Sequence, residues 1–273
     1  MATIVLDESG APKRQGSTLF AHMGERTERI VLGSAFIAVL LIAWQSVAAF
    51  GVEPPILLPS PADVVGAFRS LFSSSDIWAD LAASGKELFY GFALAAIVGI
   101  GAGLAIGWYP RLGYFFDPFI NFLYAVPRVA LGPLLIVWLG IGLNSKVALV
   151  FLIGVFPVLV NTSSGVRSLD QHLLRVARCF GASDLKIFRT IALPGSVPFI
   201  LGGLRLAVGQ SLIGVFVAEL LGAQYGVGAM IQNAAEQFQT DEVFAGLLIF
   251  AAAGMVLTAI VRALERRFDA WRV

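Results

Sequence analysis

Cysteine, histidine and charge are what this chain of 273 residues has least of. Its one cysteine, Cys179, cannot close an internal disulfide and falls short of a metal site. The two histidines, His22 and His172, lie far apart in predicted loops, which argues against zinc chemistry and histidine-based catalysis. Charged residues are 14% of the chain, against roughly 25% in a soluble domain. A net charge of +1 offers nucleic acid no electrostatic footprint. There is no G-x-x-x-x-G-K-[ST] sequence: Gly85-Lys86 runs into Glu87 and lacks the upstream glycine, so no loop here cradles a phosphate.

What is present is apolar. Hydrophobic residues are 58% of the chain and mean hydropathy is +0.82, the composition of an integral membrane protein. A hydrocarbon core about 30 Å thick takes about 20 apolar residues of helix. Six spans meet that length or approach it: Ile30–Phe50, Leu88–Tyr109, Phe119–Leu139, Val147–Val160 (running on toward Ser163), Val197–Leu221 and Ala245–Leu264. The expectation is an all-α polytopic protein with six transmembrane helices. The first span is longer than the apolar core of a cleaved signal peptide, which is the competing reading of that segment.

Lys and Arg set the orientation. With both termini inside, only Arg69, Lys86 and Lys146 fall outside and Arg128 lies within a span; the remainder of the 19 are cytoplasmic. Residues 1–29 then form a cytoplasmic segment, 30–267 the membrane domain with a loop at 165–194, and 268–273 a cytoplasmic tail. The external stretch Gly51–Glu87 opens on Pro54, Pro55, Pro59 and Pro61. It continues with Val64, Val65, Phe68, Leu71 and Phe72, a helix expected to lie on the membrane surface.

Gly99, Gly103 and Gly107 recur every four residues on one face of the second span, a signature of close helix packing. Pro127 and Pro133 interrupt the third, and backbone opened there needs protein or a watery cavity to satisfy it. Polar groups at membrane depth are few. Arg128, Gln210 and Glu219 are the candidate translocation-pathway residues, beside Gln45. Arg128 is expected to pair with a carbonyl freed at the kink, and Glu219 to reach the outer interface. A structural hydrogen bond and a gating role both remain open for Glu219.

Between the fourth and fifth spans the chain turns polar. Ser168 with Gln171 has capping-box spacing, so a helix should start near Leu169. Leu173, Val176, Ala177 and Phe180 form an apolar stripe, with His172, Arg175 and Arg178 on the other side. Gly181 is placed to end this helix in a left-handed conformation. Ser183 should cap a second short helix that Pro194 closes. Two short helices projecting from a membrane domain read as a docking element.

The spacing Arg175-Val176-Ala177, Gly181-Ala182, Ile191-x-Leu193-Pro194 resembles the EAA loop of permease subunits of ATP-binding-cassette importers. Leu58-Pro59-Ser60-Pro61, the run Pro127 to Leu134, Trp138-Leu139-Gly140-Ile141-Gly142, Gly202-Gly203-Leu204-Arg205, Ala218-Glu219-Leu220 and Gly226-Val227-Gly228 with Thr240-Asp241 are similar to its nitrate/sulfonate/taurine branch. Together they cover most of the chain from Pro54 to Arg267.

That resemblance implies the type I importer permease fold in a bacterial inner membrane, and a transport subunit without catalytic residues or metal. Arg175, Val176, Ala177, Arg178, Phe180, Gly181, Ala182 and Ser183 would be the coupling helix and its turn. The implied partners are a second permease copy, two cytoplasmic ATPase subunits carrying the ATP and Mg, an external solute-binding protein and lipid. The implied solute is a small oxyanion or organic acid: nitrate, bicarbonate, a sulfonate such as taurine, or an aromatic acid. The family's opening glutamate is Arg175 here and its first alanine Val176, so the partner ATPase is expected to present an acidic residue. Paired intramembrane carboxylates and internal repeats, the marks of an ion-driven secondary transporter, are not evident in the sequence.

Overall fold

The computed structural model describes residues 25–50 and 58–268, all of them in helices or the turns between. Most of the expected terminal segments, and Pro54 and Pro55, lie outside the described residues. Two compact units divide the chain at Pro61.

The first unit holds one helix, α1 (Glu25–Phe50), with an almost wholly exposed apolar surface. Its hydroxyls are spent internally: Ser34 and Ser46 donate to the carbonyls of Ile30 and Ile42, as lipid would require. Trp44 Nε1 donates to Pro59 O at 3.0 Å.

The second unit begins with α2 (Pro61–Ser73), the amphipathic helix the sequence predicts, which buries Val64 and Ala67 and leaves Val65 and Phe68 exposed. Its core is three long helices: α3 (Asp76–Trp108), α6 (Leu143–Arg167) and α9 (Leu193–Leu220). Glycines set how closely they approach. A Cβ on Gly91, Gly99, Gly103 or Gly107 of α3 would come within 2.5–2.8 Å of Val150, Val158, Leu159, Thr162 or Val166 of α6. The predicted small-residue face is therefore the α3–α6 seam, completed by the fully buried Ala95. Between α6 and α9 a Cβ on Gly154 would lie 2.5 Å from Ser211 Oγ, and one on Gly214 3.1 Å from Val150 Cα.

Span ends differ from those expected. The helix that holds the second span starts at Asp76, ahead of the expected Leu88, with Glu87 buried inside it against Lys146. The fourth extends from Leu143 to Arg167; two of its polar residues bond back to its own carbonyls, while the buried Thr162 Oγ1 has no partner among the described residues. Asn161 donates to Pro157 O and Ser163 to Val160 O.

The third predicted span is not one kinked helix. It is α4 (Pro110–Ala125) and, after a 3₁₀ turn over Arg128–Leu131, α5 (Gly132–Leu139), bent by 87°. Pro127 forces Val126 out of the helical region (ψ 133°), which ends α4, and Pro133 opens α5. Among the described residues five helices are long and apolar enough to cross a membrane, or six if the bent pair is one span.

Pro194 does not close a helix either. A π turn over Phe188–Ala192 joins α8 (Asp184–Ile187) to α9, and Asp184–Leu220 runs on as a 37-residue helix. A proline in a first turn gives up an N–H that needs no helical partner, and the wide turn shifts the hydrogen-bond register ahead of it. The last described elements are α10 (Val227–Glu236) and α11 (Thr240–Phe268).

Candidate functional site: the two ends of one long helix

At one end of Asp184–Leu220 lies the predicted docking element. α7 spans Gln171–Cys179. Its cap is Asp170, whose carboxylate accepts from His172 N at 2.7 Å; Ser168, the expected cap, turns back to donate to Gly165 O. Asp170 wins because its extended backbone aims the side chain at the first free N–H groups, whereas Ser168 is itself still helical.

The helix stops in a full Schellman motif. Gly181 has φ +72°, Gly181 N donates to Arg178 O, and Ala182 N to Ala177 O. Ser183 Oγ then accepts from Lys186 N, as expected of a second cap. Leu174 and Ile187 anchor the pair in the protein. The predicted stripe of Leu173, Val176 and Phe180 faces outward, with Phe180 87% exposed, so an apolar surface stands free beside Arg175 and Arg178. Arg175 donates to His172 Nδ1 at 3.1 Å, so the residue replacing the family's glutamate has a neighbour on its own helix. Phe188 meets Trp108 edge-on at 5.4 Å, tying this end to α3.

Arg128 sits on the 3₁₀ turn of the broken span. It does not take a freed carbonyl, as expected. Its guanidinium stacks on Tyr124 and Phe156, 5.1 and 5.3 Å from their ring centres, and its buried Nη1 has no hydrogen-bond partner. Gln210 is half-buried on α9.

Glu219, at the far end of α9, is fully buried and does not reach an interface. Ser84 Oγ donates to its Oε1 at 2.5 Å and Gly228 N to its Oε2 at 2.6 Å. Val227 N donates to Ser84 Oγ, and Gly226 N to Asp80 Oδ1. The first N–H groups of α10, which have no partner inside that helix, are thus taken by three side chains, two of them acidic. Gly226 (φ +136°) and Gly228 are glycines because the Glu219 carboxyl occupies the space of a Cβ, 2.3 Å away at Gly226 and 2.8 Å at Gly228.

Beside this clamp Lys146 of α6 meets Glu87 at 2.7 Å, and Glu87 neighbours Glu219. A cavity of about 380 Å³ opens next to the pair, lined by Lys86, Glu87, Lys146, Gly222 and Tyr225 among others. Two buried carboxyls do therefore lie together at depth, which the sequence did not reveal. Asp80, Ser84 and Glu87 were missed as a site although their spacing of four and three residues puts them on one face of α3. No contact joins Arg128, Gln210 and Glu219 to one another among the described residues.

Comparison with known proteins agrees with this architecture. Residues 95–270 match the family described as binding-protein-dependent transport system inner membrane component, and the chain belongs to that family. It is 35% identical to a protein of Bacillus subtilis (strain 168) named for aliphatic sulfonates transport, over 96% of this chain and 95% of that one. It is 34% identical to the taurine transport system permease protein TauC of Escherichia coli (strain K12), over 90% and 91%. A formylaminopyrimidine transport permease protein, ThiX of Halalkalibacterium halodurans, is 31% identical over 91% and 98%. Among solved structures, the MetNI methionine ABC transporter in inward-facing conformations aligns with a TM-score of 0.52 at 17% identity. It covers 68% of this chain and 96% of its own, and shows the shared fold. The chain is thus a type I permease subunit of an ATP-binding-cassette importer, a transport component and not an enzyme, working with an ATPase and a binding protein.

Proposed function

We propose that two copies of this chain pair in the membrane, bind two ATPase subunits at residues 165–194 and receive solute from a binding protein at the opposite face. Arg175–Ser183 would be the coupling element. The observation that carries this is the fixed, free-standing apolar and basic surface of α7, anchored from behind by Leu174 and Ile187. ATP and Mg would be held by the ATPase, with no cofactor in this chain.

Charge asymmetry supports cytoplasmic termini and a cytoplasmic loop: Arg167, Arg175, Arg178, Lys186 and Arg189 cluster at the loop end, Arg69, Lys86 and Lys146 at the other. Residues 30–267 are then the membrane domain, with 1–29 and 268–273 inside and lipid around the exposed apolar helices. The pathway would pass the broken span, with Arg128 and Gln210 beside it; Glu219, wholly buried, would act there by fixing α10. A small oxyanion or organic acid is the solute favoured by two of the three relatives described, whose names specify sulfonates and taurine.

Purification of the tagged permease in mild detergent, with mass spectrometry of co-purifying chains, tests the reading. An ATPase recovered at about one copy per permease supports it. A permease free of ATPase even after crosslinking would overturn it in favour of an ion-driven transporter.

A further inference from the structure

The docking element and the Glu219 clamp are the two ends of one object. Residues 184–220 form a continuous helix, about 55 Å long at 1.5 Å per residue. At its start, Ser183 caps it and Phe188 packs on Trp108 of α3. At its finish, Glu219 grips the first turn of α10 and is gripped by Ser84 of α3.

Three features make that second junction hard to open. Three of its four hydrogen bonds are buried, and three of the four are accepted by a carboxyl. Opening it would leave the fully buried Glu219 carboxyl without the donors Ser84 and Gly228. Gly226 and Gly228 also leave α10 no slack, since their backbone lies against the carboxyl itself. A junction of this kind transmits displacement; it does not act as a hinge.

We propose that Asp80, Ser84 and Glu219 are positioning residues of the transport cycle. They rivet α10 to α3 and α9, so that the docking element, the long helix and α10 move as one body. α10 is then the far output of whatever the ATPase does at the loop. This rests on the importer reading above.

The test places spin labels on exposed positions at the two ends, Lys186→Cys and Asn233→Cys, in a Cys179→Ser background. The permease–ATPase complex is reconstituted with its binding protein. Distances are measured without nucleotide and with ATP trapped, alongside basal and binding-protein-stimulated ATPase rates. Within each copy one narrow Lys186–Asn233 distance, the same in both states, is expected, the distances between copies being identified from the two singly labelled proteins. In Ser84→Ala the distribution should broaden or become nucleotide-dependent and stimulation should fall several-fold at unchanged basal rate, with Ser84→Thr restoring both.

A Lys186–Asn233 distance that shifts by several ångströms in a complex that still hydrolyses and transports would overturn the rivet alone. So would full stimulation in Ser84→Ala with an unbroadened distance. Failure to assemble with any ATPase would overturn the importer reading and the rivet together. The labelled pair needs no change in the clamp, so the proposal stays falsifiable if Ser84→Ala misfolds.

Discussion

The two ends of the Asp184–Leu220 helix are built by opposite strategies. At the docking end the bonds that give the chain its shape join residues two to five apart: Asp170 with His172, Ser183 with Lys186, Ala177 with Ala182. At the α10 end three of the four join residues 135, 143 and 146 apart and the fourth, Gly228 with Glu219, nine apart, with the ion pair Lys146–Glu87 spanning 59. A locally encoded shape leaves its surface free to vary. Arg175 can stand where the resembled motif opens on a glutamate because its side chain bonds within its own helix, to His172. A shape encoded at long range has no such freedom, since each member satisfies a buried partner contributed by another helix.

That contrast can be broken first at Gly181. Its φ of +72° is closed to proline, whose ring holds φ near −65°. Gly181→Pro should abolish binding-protein-stimulated ATPase activity while leaving the permease folded in the membrane, because the damage stays local. Surviving stimulation would mean the loop does not dock the ATPase.

At the other end the expected damage is global. Lys146→Met removes the cation paired with Glu87 and strands a carboxylate that is 3% exposed. The loss should be about 3 kcal/mol, the lower part of the range for halving a buried pair. Thermal unfolding in detergent reads it, and Lys146→Met with Glu87→Leu should recover most of it. Equal losses in the single and double variants would show that the pair is not what Lys146 is there for.

A smaller effect separates glycines that look alike in sequence. A Cβ on Gly228 would lie 2.8 Å from Glu219 Oε2, whereas one on Gly202 of α9 would meet nothing within 4 Å. Gly228→Ala should therefore cost about 1–3 kcal/mol by overpacking. Gly202→Ala should be neutral, or stabilising by about 0.5–1 kcal/mol as a helical glycine replaced. The same melting experiment ranks the two, and equal melting temperatures would remove the steric account of the clamp.

Legibility followed the same division. The long spans, the small-residue seam at Gly99, Gly103 and Gly107, the Gly181 turn and the Ser183 cap were readable because periodicity and local capping chemistry act within a few residues. The helix start at Asp76 was not legible because a carboxylate such as Glu87 within an apolar helix is costly alone, and its partner on α6 is invisible from α3. The break at Val126–Pro127 was readable as a kink, but its 87° angle depends on where α5 finds packing, at Leu149 and Leu221 around Gly132. Arg128 was given a carbonyl because prolines free carbonyls; Phe156, the ring that helps hold it, lies on another helix.

The smallest effect tests the local side at its own weakest point, the choice between two caps. Ser168 has the spacing of a capping box with Gln171, and sequence alone favours it. Asp170 has the geometry: an extended backbone, φ −63° and ψ 115°, and a carboxylate 2.7 Å from His172 N. A carboxylate at a helix N-terminus also gains from the helix dipole. Asp170→Ala should cost α7 about 1 kcal/mol, seen as faster amide exchange across 172–179 with little change elsewhere. Ser168→Ala, which loses only a hydroxyl donating back to Gly165 O, should leave α7 exchange unchanged. If Ser168→Ala were the more damaging of the two, the capping box would be the true start of the helix. α7 would then begin near Leu169, turning Leu173, Val176 and Phe180 to a different face.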